Sequence, residues 1–299
     1  MKRRAATRWA VVAGVAAALA IAPAVAEPTP LRASAALTAS TGFENGTANA
    51  PFTLSNFASQ GFIASSEVGL DERSFVHTTI VHSGAKSLRI KFPQGLYGDP
   101  AVTGAHANFD IPSSRTYWIS QWLRFDSNFS WGGTKQGGKV GFGLVGGDGC
   151  SGGQTCTGTN GFSSRVIWRS GGGAALYLYH MDKPGTYGEE IPLKTPTGAN
   201  IVFPKGQWFN IVIRVTTNTV TNGIANADGE TQVWYNGQSA LYKPSLRFVT
   251  NSDKVDTAVL STFPGGAEPA YGPLNDSYLW IDDVKVSNNS ADICELSTC

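Results

Sequence analysis

Residues 162–179 constrain the fold more than any other stretch, because two arms of period-two alternation flank a glycine run. Phe162-Ser163-Ser164-Arg165-Val166-Ile167-Trp168-Arg169 leads into Ser170-Gly171-Gly172-Gly173, and Ala174-Ala175-Leu176-Tyr177-Leu178-Tyr179 returns. Successive side chains of a strand point to opposite faces. Phe162, Val166 and Trp168 therefore share one face of the first arm, and Ser163, Arg165 and Arg169 the other; Leu176 and Leu178 separate from Tyr177 and Tyr179 in the same way. A turn centred on Gly172 places Arg165 opposite Tyr179, and directly paired residues share a face. The expectation is an apolar underside beneath a surface that carries a serine, an arginine and two tyrosines.

The rest of the chain supplies strands to extend that sheet. Lys86–Phe92 alternates with Leu88, Ile90 and Phe92 inward and Arg89 and Lys91 outward. Thr116–Phe125 reads as a long aromatic strand, and Phe209, Ile211, Ile213 and Val215 form another inward row. Glu230–Tyr235 runs into the hairpin turn Asn236-Gly237. Ser277–Val286 is a late strand whose alternation breaks at Asp282-Asp283, the mark of a bulge or an edge. No long stretch of the mature chain has helical periodicity. Many short antiparallel strands with one apolar face predict an all-β fold of two stacked sheets: a jelly roll or another lectin-like sandwich, with a ligand cleft on the concave sheet.

The N-terminus is read as outside the fold. Lys2, Arg3, Arg4 and Arg8 precede an apolar run from Trp9 to Ala22, and Ala24-Val25-Ala26 offers a small-x-small cleavage site, so residues 1–26 are expected to be a secretory signal peptide. The small polar stretch 27–41 reads as a leader, 42–288 as the domain and 289–299 as a tail. Without the signal the net charge is about −3 with His neutral. No global positive field then exists for nucleic acid or an anionic membrane, and a polyanionic ligand must be held by a local cluster of Arg and Lys. The four cysteines, Cys150, Cys156, Cys294 and Cys299, all survive cleavage. An even count in an exported chain argues for disulfides; three pairings exist, and sequence neighbours favour Cys150–Cys156 and Cys294–Cys299. Zinc spacing is not met.

The polar face limits the chemistry. No histidine lies near Ser163, and the Gly-x-Ser-x-Gly motif is absent, which argues against a serine nucleophile. Glycoside hydrolysis needs two carboxylates, and the hairpin carries none. Arg, Lys and Tyr together suit removal of the weakly acidic proton next to a carboxylate: a cation stabilises the developing enolate-like charge. A tyrosine, ordinarily near pKa ~10, becomes a usable base where cations favour its phenolate. That is the β-elimination that cleaves uronic acid polymers. The competing reading is a non-catalytic lectin-like module, in which Tyr stacks on sugars and Arg pairs with carboxylates.

A set of motifs adds to this. Gly137-Gly138-Lys139, Cys150-Ser151-Gly152-Gly153, Phe162-Ser163-Ser164-Arg165-Val166-Ile167-Trp168-Arg169, Tyr177-Leu178-Tyr179, Phe263-Pro264-Gly265-Gly266 and Tyr278-Leu279-Trp280 occur in this order. In that combination, from about Trp118 to Val286, the chain resembles polysaccharide lyase family 14 and the related glucuronan lyases. The resemblance implies a β-jelly roll and an active site of Lys139, Ser163, Arg165, Tyr177 and Tyr179. It departs from the family pattern after the lysine, at Val140-Gly141-Phe142-Gly143, and where Pro264 interrupts Phe-Gly-Gly.

The resulting expectation is a secreted, extracellular monomer that cuts a β-1,4-linked polyuronate, glucuronan or polymannuronate, with no required cofactor. Arg165 and Lys139 neutralise the uronate carboxylate, Ser163 bonds it or holds Arg165, and Tyr179 acts as base or acid with Tyr177 as its partner. Arg169, His106, Tyr187 and Tyr271 are candidate substrate contacts. The Gly137–Gly141 segment alone reads as a flexible loop, His180 as structural, and Asp282-Asp283 as an open candidate for a structural calcium with no ligand-spaced oxygen set.

Overall fold

The computed structural model describes residues 37–296; the signal segment, most of the leader and Cys299 lie outside them, as does the side chain of Cys294. The expected Cys294–Cys299 bridge therefore falls outside the described residues. The strands of the N-terminal half are β1 Ala39–Thr41, β2 Ile63–Val68, β3 Ser74–His77, β4 Ser87–Phe92, β5 Ala105–Ser114 and β6 Thr116–Phe125. Next come β7 Gly138–Gly146, β8 Phe162–Trp168, β9 Ala174–Tyr179, β10 Glu189–Pro192 and β11 Phe209–Thr216. The last are β12 Val220–Thr221, β13 Ile224–Ala225, β14 Gly229–Tyr235, β15 Gln238–Leu246, β16 Val255–Pro264 and β17 Ser277–Ser287. The leader ends sooner than expected, because Ala39–Thr41 pair with Val284–Val286.

Two antiparallel sheets stack as a jelly-roll sandwich. One runs β15-β14-β11-β6-β17-β4-β3, with β1 also on β17; the other has seven strands in the order β10-β9-β8-β7-β16-β5-β2. Alternation explains the layer between them. Leu88, Ile90 and Phe92 of β4, Ile119, Leu123 and Phe125 of β6, and Phe209, Ile211 and Ile213 of β11 all point in and are fully buried. From the seven-stranded sheet, Phe142, Leu144, Phe162, Val166, Trp168, Leu176 and Leu178 meet them in one core. Each such aliphatic or aromatic side chain contributes about 1.5–3 kcal/mol through burial.

Trp168 anchors the hairpin to this core. Its indole N–H donates to the Trp131 carbonyl at 2.8 Å, and its ring packs edge-on to Phe92 and Phe129. The Asn236-Gly237 turn forms as read, with φ of 48° and 75°, the left-handed pair that a two-residue hairpin turn needs. The break in β17 is a bulge between Asp282 and Lys285. There the buried Asp282 carboxylate accepts the backbone N–H groups of His82, Ser83 and Asp283.

Candidate active site

The site is built on the outward face of the seven-stranded sheet, and its first member comes from a strand where a loop was expected. Gly138–Gly146 pairs on both sides, with β8 and with β16. Its glycines reflect crowding. A Cβ at Gly138 would lie 2.1 Å from the Trp168 ring, and one at Gly143 would lie 2.4 Å from the Ser164 carbonyl and 2.9 Å from Arg165 Cγ. The missing side chain at Gly143 is the space through which the Arg165 stem passes. At Gly141, where φ is 64°, the strand bulges. Gln121 of the opposite sheet closes the bulge, accepting from the Phe142 N–H at 2.7 Å and donating to its carbonyl at 2.8 Å. Lys139 stands just before this distortion, opposite Ile167 and Phe263.

The hairpin register differs by one pair from the expectation. Arg165 pairs with Tyr177, and Ser163 with Tyr179. The turn is centred on Gly171, the glycine with φ of 69°, while Gly173 already closes the ladder by accepting from Arg169 N–H at 2.8 Å. The shift is even in parity, so the polar face keeps its four members.

Hydrogen bonds tie this face to the preceding loop. Ser163 Oγ donates to the Cys150 carbonyl at 2.9 Å and accepts from the Arg165 guanidinium at 3.3 Å. Ser163 is 1 % exposed, and its hydroxyl is engaged by the Cys150 carbonyl and the Arg165 guanidinium. The Gly153 N–H donates to Tyr179 Oη at 2.9 Å. Tyr179 Oη lies 3.2 Å from Tyr177 Oη, with the rings perpendicular. Both backbone groups belong to the loop closed by the Cys150–Cys156 disulfide. Closing a loop this short contributes about 2 kcal/mol, so Cys150→Ser with Cys156→Ser is expected to lower Tm by about 5 °C. A several-fold fall in kcat, measured well below the new Tm, should accompany it; an unchanged kcat would detach the loop from the site.

Electrostatics separates the cations. Burial, then Arg165 and Arg169, pull the Lys139 ammonium down to about 7 against the opposing effect of Glu190. Lys139 Nζ lies 4.4 Å from the Phe263 ring centroid and 5.8 Å from that of Tyr177. Burial also lowers Arg165, offset by Tyr177 and Tyr179, but a guanidinium starts high enough to stay charged. Burial first, and then the bond to Tyr179, push the Tyr177 hydroxyl above its ordinary value. Tyr177 thus holds its proton, while Lys139 changes state near neutrality.

Lys139, Arg165, Arg169, Tyr177 and Tyr179 line one cavity of about 500 Å³, with Tyr187 and Tyr271 on its wall. Tyr187 is 66 % exposed at the rim. Tyr271 packs on Gly266, where a Cβ would come within 2.1 Å of its ring. Arg169 is not a free cation: its Nε donates to Glu190 Oε2 at 2.6 Å. Glu190 is a site residue the sequence reading missed; alternation along Glu189-Glu190-Ile191 would have placed it beside Tyr177, its partner across β9 and β10. His106 lines a second cavity next to Arg165, held neutral by burial and by Arg165, which lower it to about 4. His180 is buried against Glu189 at 2.7 Å on the far side of β9, as its parity implied. Among the described residues no three His, Cys, Asp or Glu side chains cluster to hold a metal.

The family model for polysaccharide lyase 14 matches residues 81–284. The fold matches the alginate lyase Aly36B at a TM-score of 0.68 and 26 % identity, over 84 % of this chain and 97 % of that one. A marine PL-14 alginate lyase from Aplysia kurodai gives 0.68 at 24 % identity, over 85 % and 100 % of the two chains. The alginate lyase vAL-1 from a Chlorella virus gives 0.61 at 20 % identity, over 76 % and 93 %. No curated protein sequence matches the chain.

Proposed function

Because the chain belongs to polysaccharide lyase family 14, we propose that it cleaves a 4-linked polyuronate by β-elimination, with Lys139 as base, Tyr177 as acid and Arg165 as the carboxylate's counter-ion. One observation carries this reading. A lysine lowered to about 7, a tyrosine raised above its ordinary value and a buried arginine share one cavity. Two titratable groups driven in opposite directions are what acid–base chemistry at neutral pH requires. The two acids of the lining, Glu190 and Glu268, are tied to Arg169 and Lys135, so a pair of free carboxylates for hydrolysis is missing from it.

The uronate carboxylate sits on Arg165, which Ser163 holds in place, so charge spreading from C5 is stabilised as it forms. The neutral Lys139 amine takes the C5 proton, and the C5–H electron pair becomes the C4–C5 double bond. The C4–O bond breaks, and the departing oxygen takes the Tyr177 proton. Return of the proton from the Lys139 ammonium to the Tyr177 phenolate resets the site. Tyr179, fixed by the Gly153 N–H, positions Tyr177.

Base and acid stand on the same face, which suits sugars whose C5 proton and C4 oxygen leave from one side, glucuronate and mannuronate, over guluronate. Aly36B variants bind alginate tri- and tetrasaccharides, a support for a substrate of this chemical class. Export after cleavage near Ala26 fits the Cys150–Cys156 disulfide, since such bonds persist in oxidising compartments. An ultraviolet assay for unsaturated uronate on glucuronan, polymannuronate and polyguluronate is expected to register the first two. Silence on every uronate polymer, with retention on a uronan gel, would leave only the binding-module reading.

A further inference from the structure

Five of the eight arginines among the described residues form ion pairs with Asp or Glu. The other three are Arg165 in the cleft, Arg89 of β4 and Arg124 of β6. Arg89 and Arg124 take no part in the cleft. They stand on the outward face of the eight-stranded sheet, across the core from it.

Register sets these two in a row. Arg89 lies opposite Trp280 of β17, which lies opposite Arg124, and Phe75 of β3 flanks Arg89 on its other side. The arginines are two strands apart, so their backbones are roughly 10 Å from each other, close to the length of a disaccharide unit along a 1,4-linked chain. Leu279 and Ile281 belong to the core, which turns Trp280 outward between the arginines. Its indole N–H is buried with no acceptor, and Arg124 Nε likewise has no partner. More rings border the row. The Arg89 guanidinium is 5.2 Å from the centroid of Tyr278, and Trp280 packs against Tyr278 at 6.3 Å and His77 at 5.6 Å.

The acids of this face are engaged elsewhere. Asp276 pairs with Lys91 at 2.6 Å, and Asp282 accepts three backbone amides. Asp283 bonds His82 and Ser83, and Asp126 accepts from Ser127. Packing against aromatic rings accounts for the arginine stems. It does not account for two half-buried guanidinium groups left without a carboxylate.

We propose that the Arg89–Trp280–Arg124 row is a second, non-catalytic binding site for a uronate polymer. Each guanidinium takes a carboxylate through paired N–H bonds, and the rings beside it carry the sugar. A nucleic acid presents a phosphate at every nucleotide and is held by longer stripes of cations. Two arginines on a chain of negative net charge suit a polymer with one carboxylate per ring. A chain held here leaves the cleft open to another segment of polymer, so the protein stays on its substrate between cuts. The site goes beyond the lyase reading and is independent of which residues act as base and acid.

The test is affinity electrophoresis through polymannuronate and glucuronan, run with Lys139→Met so that the polymer stays uncut. Adding Arg89→Gln and Arg124→Gln is expected to weaken retention in at least one of them about tenfold. In the chain with Lys139 intact, the same pair should raise KM on long polymer while kcat, and kcat/KM on a trisaccharide, stay unchanged. A melting curve checks folding; if the double variant unfolds, Arg89→Gln alone should weaken retention about threefold. Unchanged retention in the folded variant would overturn the site, as would an equal loss of kcat/KM on the trisaccharide. So would an arginine-dependent retention seen in single-stranded DNA and in neither uronate polymer. Arginine-dependent retention by a wild type that forms no unsaturated product would remove the lyase reading and leave this site standing.

Discussion

Lys139→Met is expected to lower kcat/KM for the unsaturated product by about 10³-fold, the usual contribution of a positioned base. Methionine keeps the stem that lies over Phe263 and removes the amine. The pH profile makes the test specific. Lys139 is lowered to about 7 because its charged form is costly beside Arg165 and Arg169 in a buried setting. Activity should therefore rise with pH through about 7 as the neutral amine forms. Tyr177, raised above its ordinary value, leaves the acid form intact far above that. The variant should lose the rising limb.

Stability supplies the control. The native state releases the Lys139 proton more readily than the unfolded chain, so this residue costs the fold most below about pH 7 and nothing above the ordinary lysine range. At pH 6 the methionine variant should melt higher than the wild type, with a difference that fades as pH rises. A rising limb that survives in Lys139→Met would take the base role away from this residue.

The parts of the site that could be read from sequence were those governed by local alternation. Parity placed Ser163, Arg165, Tyr177 and Tyr179 on one face, because a strand leaves no other choice. Parity does not say where in Ser170–Gly173 the turn is centred. Any of three glycines can adopt positive φ; Gly171 and Gly172 both do, and centring the turn on Gly171 decides whether Tyr177 or Tyr179 faces Arg165. The strand β7 was read as a loop for a related reason. Glycines 138 and 143 look like punctuation when their neighbours in space are unknown; the Trp168 ring and the Arg165 stem that fill those positions come from β8, more than twenty residues away.

Other members left no mark in sequence. The Cys150 carbonyl and the Gly153 N–H are backbone groups that almost any residue would supply, and only the disulfide hinted that their loop was fixed. The break in alternation at Asp282-Asp283, read as a bulge or an edge, is a bulge, where the Asp282 carboxylate accepts three backbone amides. The residue that stands out in this face is thus Tyr177, set by a register that sequence left one pair off.

Tyr177→Phe is expected to cost about 10³-fold in kcat, and Tyr179→Phe about tenfold, because the two hydroxyls do different things. Tyr177 is 8 % exposed at the cavity wall and directly opposite Arg165; Tyr179 is fully buried, with its oxygen committed to the Gly153 N–H. Loss of the Tyr179 hydroxyl leaves that N–H unpaired and Tyr177 less well aimed, whereas loss of the Tyr177 hydroxyl removes the proton that the departing oxygen needs. The leaving group separates the two cases. A uronoside with a nitrophenoxide at C4 departs without protonation, so it should restore most of the rate of Tyr177→Phe. The same substrate should do little for Lys139→Met, whose defect lies at C5. If Tyr179→Phe is instead the variant that the activated leaving group rescues, the acid is Tyr179, and Tyr177 becomes the residue that positions it.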